Sequence, residues 1–146
     1  MKVKIKRTTD DAKLPYKKHS SDLGYDCYAT SIKDLGDGRI EYGLGIALQH
    51  TDKKDDNPKG FIIMPRSSIH KTGLILSNSE GLIDENFTGE IKAMFYNIIK
   101  ELPNYDVGDR ICQLLMVGQS QLEFEEVDNL EDTDRGSNGY GSTGNK

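Results

Sequence analysis

The sequence predicts an all-β fold, a jelly-roll-like barrel or sandwich carrying one short helix, and three observations predict it. Apolar residues arrive in short runs separated by turn-forming clusters such as "GDG", "DNPKG" and "ELPNYDVGD", the punctuation of tight connections between strands. Alternation with a period of two is clearest in "EIKAMFYN", where Ile91, Ala93 and Phe95 share one face and Lys92, Met94 and Tyr96 the other. No segment keeps a 3.6-residue apolar repeat over the length of an ordinary helix. Many short strands without long helices close into two-layered or barrel-like β architectures.

Taken in order, "KVKIKR" (2–7) alternates charged and apolar side chains, and "GYDCYAT" (24–30) supplies the aromatic and small apolar residues of a strand with a buried face. "RIEYGLGIAL" (39–48) reads as one long strand, and "TDKKDDNPKG" (51–60) as an exposed, solvated hairpin insertion. "GFIIMP" (60–65) is a continuous apolar run closed by proline. "RSSIHKTG" (66–73) follows Pro65 and stops at Gly73, which limits it to a helical turn or two. "GLILS" (73–77), residues 81–83, "GEIKAMFYNII" (89–99), "DRICQLLMV" (109–117) and "LEFEEV" (122–127) complete the strand set. Apolar content falls from about Asp128. Residues 1–127 are therefore expected to form one β domain, and 128–146 a linker and mobile glycine-rich lid, with Gly136, Gly139, Gly141 and Gly144 as its hinges.

Composition narrows the function classes. A formal net charge of -5 argues against a nucleic-acid polymer as partner, because such binding needs a basic face to displace counterions. Small anions remain open, since a local cluster of donors can outweigh global charge. No apolar run approaches the length of a membrane span and the first residues lack the apolar block of a signal peptide, so a soluble chain is expected in the cytoplasm or another intracellular setting, the nucleus or a virus-infected host included. Cys27 and Cys112 each sit in apolar or aromatic surroundings, as buried reduced thiols do. His19, His50 and His70 have no ligand spacing with one another or with cysteine, which leaves a hard cation held through oxygens and substrate phosphates as the expected metal.

Five stretches carry candidate chemistry. In "PRSSI", Arg66, Ser67 and Ser68 stand where an extended segment meets a short helix, so a guanidinium, two hydroxyls and free amides form an anion cradle; the alternative is an ordinary serine cap. "EGLIDENFTGE" reads as a buried strand, Gly81 to Ile83, delivering Asp84 to its end, either as a turn former or as a general base aimed at a water. In "LGYDCYA", Asp26 could order the water shell of a metal or simply edge a strand. "GDRICQLL" combines a turn, an expected Asp109–Arg110 pairing and an inward Gln113 that needs polar partners. The closing "RGSNGYGSTGNK" is not a Walker loop, since Asn145 separates Gly144 from Lys146; it is either a frayed end or a lid in which Arg135, Ser142, Thr143 and glycine amides hold an anion while Tyr140 covers something flat.

In order, "LGYDCYA" (23–29), "PRSSI" (65–69), "EGLIDENFTGEIKAMFYN" (80–97), "GDRICQLLM" (108–116) and "RGSNGYGSTG" (135–144) resemble the five motifs of the homotrimeric dUTPase family, with compatible gaps over nearly the whole chain. The resemblance implies a jelly-roll subunit assembled as a homotrimer with active sites at subunit boundaries, converting dUTP and water to dUMP and pyrophosphate with Mg²⁺ on the phosphates. By matching position, Asp84 resembles the base that activates the attacking water and meets the 3′-hydroxyl, and Asp26 the carboxylate that holds magnesium through water. Arg66, Ser67, Ser68 and Gln113 match phosphate-binding positions. The hairpin from Asn78 through Gly81 and Ile83 corresponds to the uracil reader and Phe87 to the ring under the deoxyribose. Arg135, Gly141, Ser142 and Thr143 match the terminal-phosphate clamp, and Tyr140 the ring that stacks on the base.

The chain departs from the family pattern in places. Phe87 stands where tyrosine is usual and Tyr140 where phenylalanine is, so stacking is kept while the first loses a hydroxyl's hydrogen bonds. Leu23 and Cys112 replace alanines and are expected to fill the core; Asn78 is expected to touch the base directly. A related dCTP deaminase shares "RSS" and the segment around Asp84, but its deaminating glutamate would fall at Met94 and its second arginine at Lys71. A nucleotide sensor or regulatory jelly roll without significant turnover is the other alternative.

Overall fold

The computed structural model describes residues 2–51 and 57–137. Among them lie ten strands: β1 (Val3–Arg7), β2 (Tyr25–Tyr28), β3 (Ser31–Gly36), β4 (Arg39–Gly43), β5 (Ile46–His50), β6 (Lys59–Pro65), β7 (Leu74–Leu76), β8 (Gly81–Ile83), β9 (Lys92–Asn97) and β10 (Arg110–Gly118). One 3₁₀ helix, Ser67–Lys71, follows β6. The strands form two four-stranded antiparallel sheets, ordered β2-β10-β6-β8 and β3-β4-β9-β7, and a two-stranded ribbon, β1-β5.

Inward residues of both sheets and of the ribbon share one core. Ile91, Ala93 and Phe95 are buried as their alternation requires, and Ile40, Tyr42, Leu44, Ile46, Ile63, Ile111 and Leu114 join them. At its centre Tyr42, Phe95 and Tyr105 pack edge to face, with centroids 5.6 to 6.3 Å apart, the arrangement that ring quadrupoles favour. The Tyr42 hydroxyl donates to the Tyr105 carbonyl at 3.3 Å. Burial raises both tyrosines above their usual 10.0. Cys27 and Cys112 are free and buried, facing each other across the β2–β10 ladder. A hydrogen bond with Cys27, followed by burial, pushes the Cys112 thiol well above 9.0.

Four expectations are corrected. "SIKDLG", outside the expected strand set, is strand β3 although its side chains are almost wholly exposed, because β4 pairs with it from Ser31 to Gly36 across one register shift. The stretch 39–48 is two strands, broken where Gly45 takes φ of +66°. "LEFEEV" is no strand among the described residues: no neighbouring strand pairs with it, and Phe124 is 89% exposed. Leu23 is 83% exposed and fills no core, unlike Cys112. Residues 52–56 of the charged insertion lie outside the described residues.

β6 is the strand from which both ends of its sheet take their register. On one side it pairs with β8, Phe61 opposite Ile83 and Ile63 opposite Gly81. On the other it pairs with β10, Met64 opposite Gln113, and β10 passes the register to β2, Gln113 opposite Asp26.

Candidate functional site

At the Pro65 end of β6 the predicted anion-binding residues converge on one carboxylate. Asp26 accepts from Arg66 Nε at 2.9 Å and Gln113 Nε2 at 3.4 Å through Oδ1, and from Arg110 Nη1 at 3.0 Å through Oδ2. Arg66 Nη1 also donates to Ser68 Oγ at 3.2 Å. The pleat explains the cluster: Asp26 and Gln113 are cross-strand partners, and the chain leaves β6 at Pro65 directly into Arg66. Asp26 is 13% exposed and Arg66 22%, so these charge-assisted bonds hold the two guanidinium groups in place. Ser67 is exposed at the start of the 3₁₀ helix and makes no side-chain cap; its carbonyl lies 2.8 Å from His70 Nδ1.

Arg110 is the member that sequence reasoning missed. The expected Asp109–Arg110 pairing does not form. Asp109 Oδ2 instead accepts the Asp106 amide at 2.8 Å, within the turn, and Arg110 turns to Asp26. A spacing of three from Gln113 puts Arg110 on the opposite face of a regular strand, and the register shift between Arg110 and Cys112 is what brings both to Asp26.

Asp84 lies at the other end of β6. It follows β8, is exposed, and opens a turn closed by the Phe87 amide on its carbonyl at 3.1 Å. It borders three hollows, one of about 310 Å³ with Leu82, Ile83, Phe87 and Ile91, one of about 380 Å³ with Gly60, Ile83 and Val117, and one of about 660 Å³ with His50, Glu85, Asn86 and Thr88. The Phe87 ring lies against Gly89, where an added Cβ would stand 2.8 Å from Cζ. Asn78 is exposed in the turn joining β7 to β8, where Ser79 takes φ of +58°. Gly81 is packed so closely that a Cβ would meet Ile63 Cγ1 at 2.4 Å and approach Asn78 Nδ2 to 3.5 Å.

The predicted residues thus form two half-sites rather than one. Gly60, beside Asp84, and Arg66 are six residues apart along an extended strand, roughly 20 Å at ~3.3 Å per residue, beyond what either side chain can bridge. Arg135 lies in the exposed segment after β10. Tyr140, Gly141, Ser142 and Thr143 lie outside the described residues.

Among the described residues, no group of three or more His, Cys, Asp and Glu side chains is placed to hold a metal ion. Both oxygens of Asp26 already accept from side chains. A carboxylate engaged in this way is better suited to meeting a hard cation through its waters than to ligating it directly. No described helix is long and apolar enough to cross a membrane.

Comparison with known proteins places these features in a context. A family model described as dUTPase matches residues 10–144. The deoxyuridine 5′-triphosphate nucleotidohydrolase of Corynebacterium glutamicum is 38% identical over 147 residues, 97% of this chain and 94% of that protein. The enzyme of the same name from Clostridium novyi is 33% identical over 148 residues, 99% of each. Among solved structures, the Staphylococcus bacteriophage 80alpha dUTPase with dUPNHPP matches with a TM-score of 0.79 at 22% identity, over 98% of both chains. A mutant dUTPase from phage phi11 of S. aureus, in which a structural Mg(II) ion is coordinated, matches with a TM-score of 0.72 at 18% identity, over 90% of this chain and 100% of the other.

Proposed function

The chain belongs to the dUTPase family, and from that premise we propose that it hydrolyses dUTP to dUMP and pyrophosphate in sites shared between copies of itself. The observation that carries the shared site is the separation along β6. A base without phosphate ligands stands at one end, and a phosphate grip without a base at the other. A second copy in a homotrimer is the economical way to bring them together, since closed rings juxtapose opposite faces of identical subunits.

In this reading Asp84 takes a proton from a water as the water oxygen bonds to the α-phosphorus. The bond from that phosphorus to the bridging oxygen breaks, and pyrophosphate leaves. An exposed carboxylate held at a strand end by its turn is able to take the proton of a water lined up for in-line attack. Arg66, Ser67, Ser68 and Gln113 of the neighbouring copy hold the phosphates, with Asp26 exchanging part of its hold on Arg66 as the triphosphate arrives. Arg110 joins this group, anchoring Asp26 from the opposite oxygen. Mg²⁺, when bound, would supply charge neutralisation on the phosphate oxygens. Arg135, Gly141, Ser142 and Thr143 would hold the terminal phosphate and Tyr140 would stack on the base.

Selectivity follows from hydrogen-bond matching. A hairpin built to pair with uracil, through Asn78 and the backbone from Gly81 to Ile83, leaves polar groups unpaired when cytosine enters, and such sites discriminate by roughly 10⁴ to 10⁵. Phe87, packed on Gly89, forms a flat floor that leaves little room for a ribose 2′-hydroxyl. The deaminase reading lacks its acid, since Met94 is an apolar residue inside β9.

Mixing tests the proposal. Asp84→Asn and Arg66→Ala should each lose most pyrophosphate release from dUTP. Equal amounts refolded together should recover roughly a quarter of the sites, those pairing an intact base with an intact grip from another copy. No recovery would place both halves within one subunit. Ammonia released from dCTP would favour the deaminase, and silence on dUTP a sensor.

A further inference from the structure

We propose that His50 is a positioning residue, which grips Glu85 from inside the fold and thereby fixes the turn that carries Asp84. The inference rests on the reading of Asp84 as the base. Among the described residues, His50 is the polar or charged side chain that the fold fully buries, at 2% exposure. Its Nε2 lies 2.7 Å from Glu85 Oε1, across 35 positions of sequence. Nothing in β5 requires a histidine there: the strand reads Ile46, Ala47, Leu48 and Gln49 before it, and an apolar residue would fill the same place at lower desolvation cost.

What the histidine adds is a directed bond. Glu85 is the second residue of the turn that begins at Asp84 and closes at Phe87. With its carboxylate as acceptor, the imidazole must donate from Nε2, which fixes the ring's orientation. His50 Nδ1 has no partner among the described residues, so the Glu85 contact accounts for this polar ring in the core.

The bond does two things at the base. It ties the turn to β5, whose other residues are locked in the β1 ladder, so the Asp84 backbone is held from a rigid element. It also draws the Glu85 charge down and inward. Glu85 is thereby held on the buried imidazole, while Asp84 beside it stays exposed. Both His50 and Asp84 border the same hollow of about 660 Å³, so a slack turn would let Asp84 sink toward it.

The test measures kcat and KM for dUTP together with thermal stability. Glu85→Ala, a change at a partly exposed turn position, should lower kcat by about tenfold while KM stays within about twofold. Glu85→Gln, which keeps an acceptor for His50, should hold kcat within about threefold of the parent. His50→Phe combined with Glu85→Ala should be no slower than Glu85→Ala alone, because the two act through one bond. Unchanged kcat in Glu85→Ala, a loss confined to KM, or multiplying effects in the double variant would overturn the assignment. Asp84→Asn measured alongside separates the two readings. If it abolishes turnover while Glu85→Ala has none of the expected effect, only the His50 role falls; if it keeps normal turnover, both fall.

Discussion

Replacing Gly60 by alanine should slow turnover by about 100-fold while leaving the chain folded. Gly60 has no unusual φ, so alanine can adopt its backbone. The difficulty is the space in front of it. A Cβ there would meet the Ile83 carbonyl oxygen at 2.4 Å, with Asp84 Cα only 3.7 Å away. Ordinary contact begins at 3.4 Å, so something must give by about 1 Å. A carbonyl oxygen cannot swing aside without its peptide, and that peptide joins Ile83 to Asp84. β6 is held on its other side by β10, Gly60 opposite Val117, whereas β8 has three ladder positions. The shift therefore falls on β8 and on Asp84, the proposed base, at its end. A displacement of about 1 Å costs on the order of 10² in rate, and overpacking costs roughly 1 to 3 kcal/mol of stability. The assay is pyrophosphate release at saturating dUTP, with thermal unfolding measured in parallel. Gly118→Ala is the control, since its Cβ would meet only Lys59 Cγ, at 3.6 Å. Near-normal kcat in folded Gly60→Ala, or equal losses in the two variants, would refute the reasoning.

Alkaline pH should destabilise the fold in a defined order. Cys112, Tyr42 and Tyr105 are all raised above 9.0 or 10.0 in the native state, so their contribution is intact below the ordinary values. It is lost as pH rises toward the raised ones, because the unfolded chain ionises first; each group contributes a slope of up to about 1.4 kcal/mol per pH unit. Urea midpoints should fall from about pH 9 upward, and a flat profile to pH 10.5 would contradict the burial argument. The two core tyrosines should respond differently to loss of their hydroxyls. Tyr42→Phe removes a buried bond to the Tyr105 carbonyl and should cost about 1 kcal/mol. Tyr105→Phe removes a buried hydroxyl that has no partner among the described residues and should be neutral or slightly stabilising; denaturant titration of both variants distinguishes them.

The fold class was legible because alternation reports which residues face a core, and the buried trio Ile91, Ala93 and Phe95 is that signal at its plainest. β3 was hidden because its pairing is supplied by β4 rather than by its own exposed side chains. "LEFEEV" misled for the converse reason: alternation describes a face, but a strand also needs a ladder partner, and none of the described strands is beside it. At the site, residue types pointed to Asp26, Arg66, Gln113 and Asp84, whereas their division between the ends of β6 depends on strand register. Arg110 and His50 escaped notice because both act through partners distant in sequence, Asp26 at 84 positions and Glu85 at 35.

On the proposed reading, the span of β6 that parts Asp84 from Arg66 would make turnover a collective property. A monomer, however well folded, would be mute, and activity would decay steeply on dilution before any unfolding signal moved.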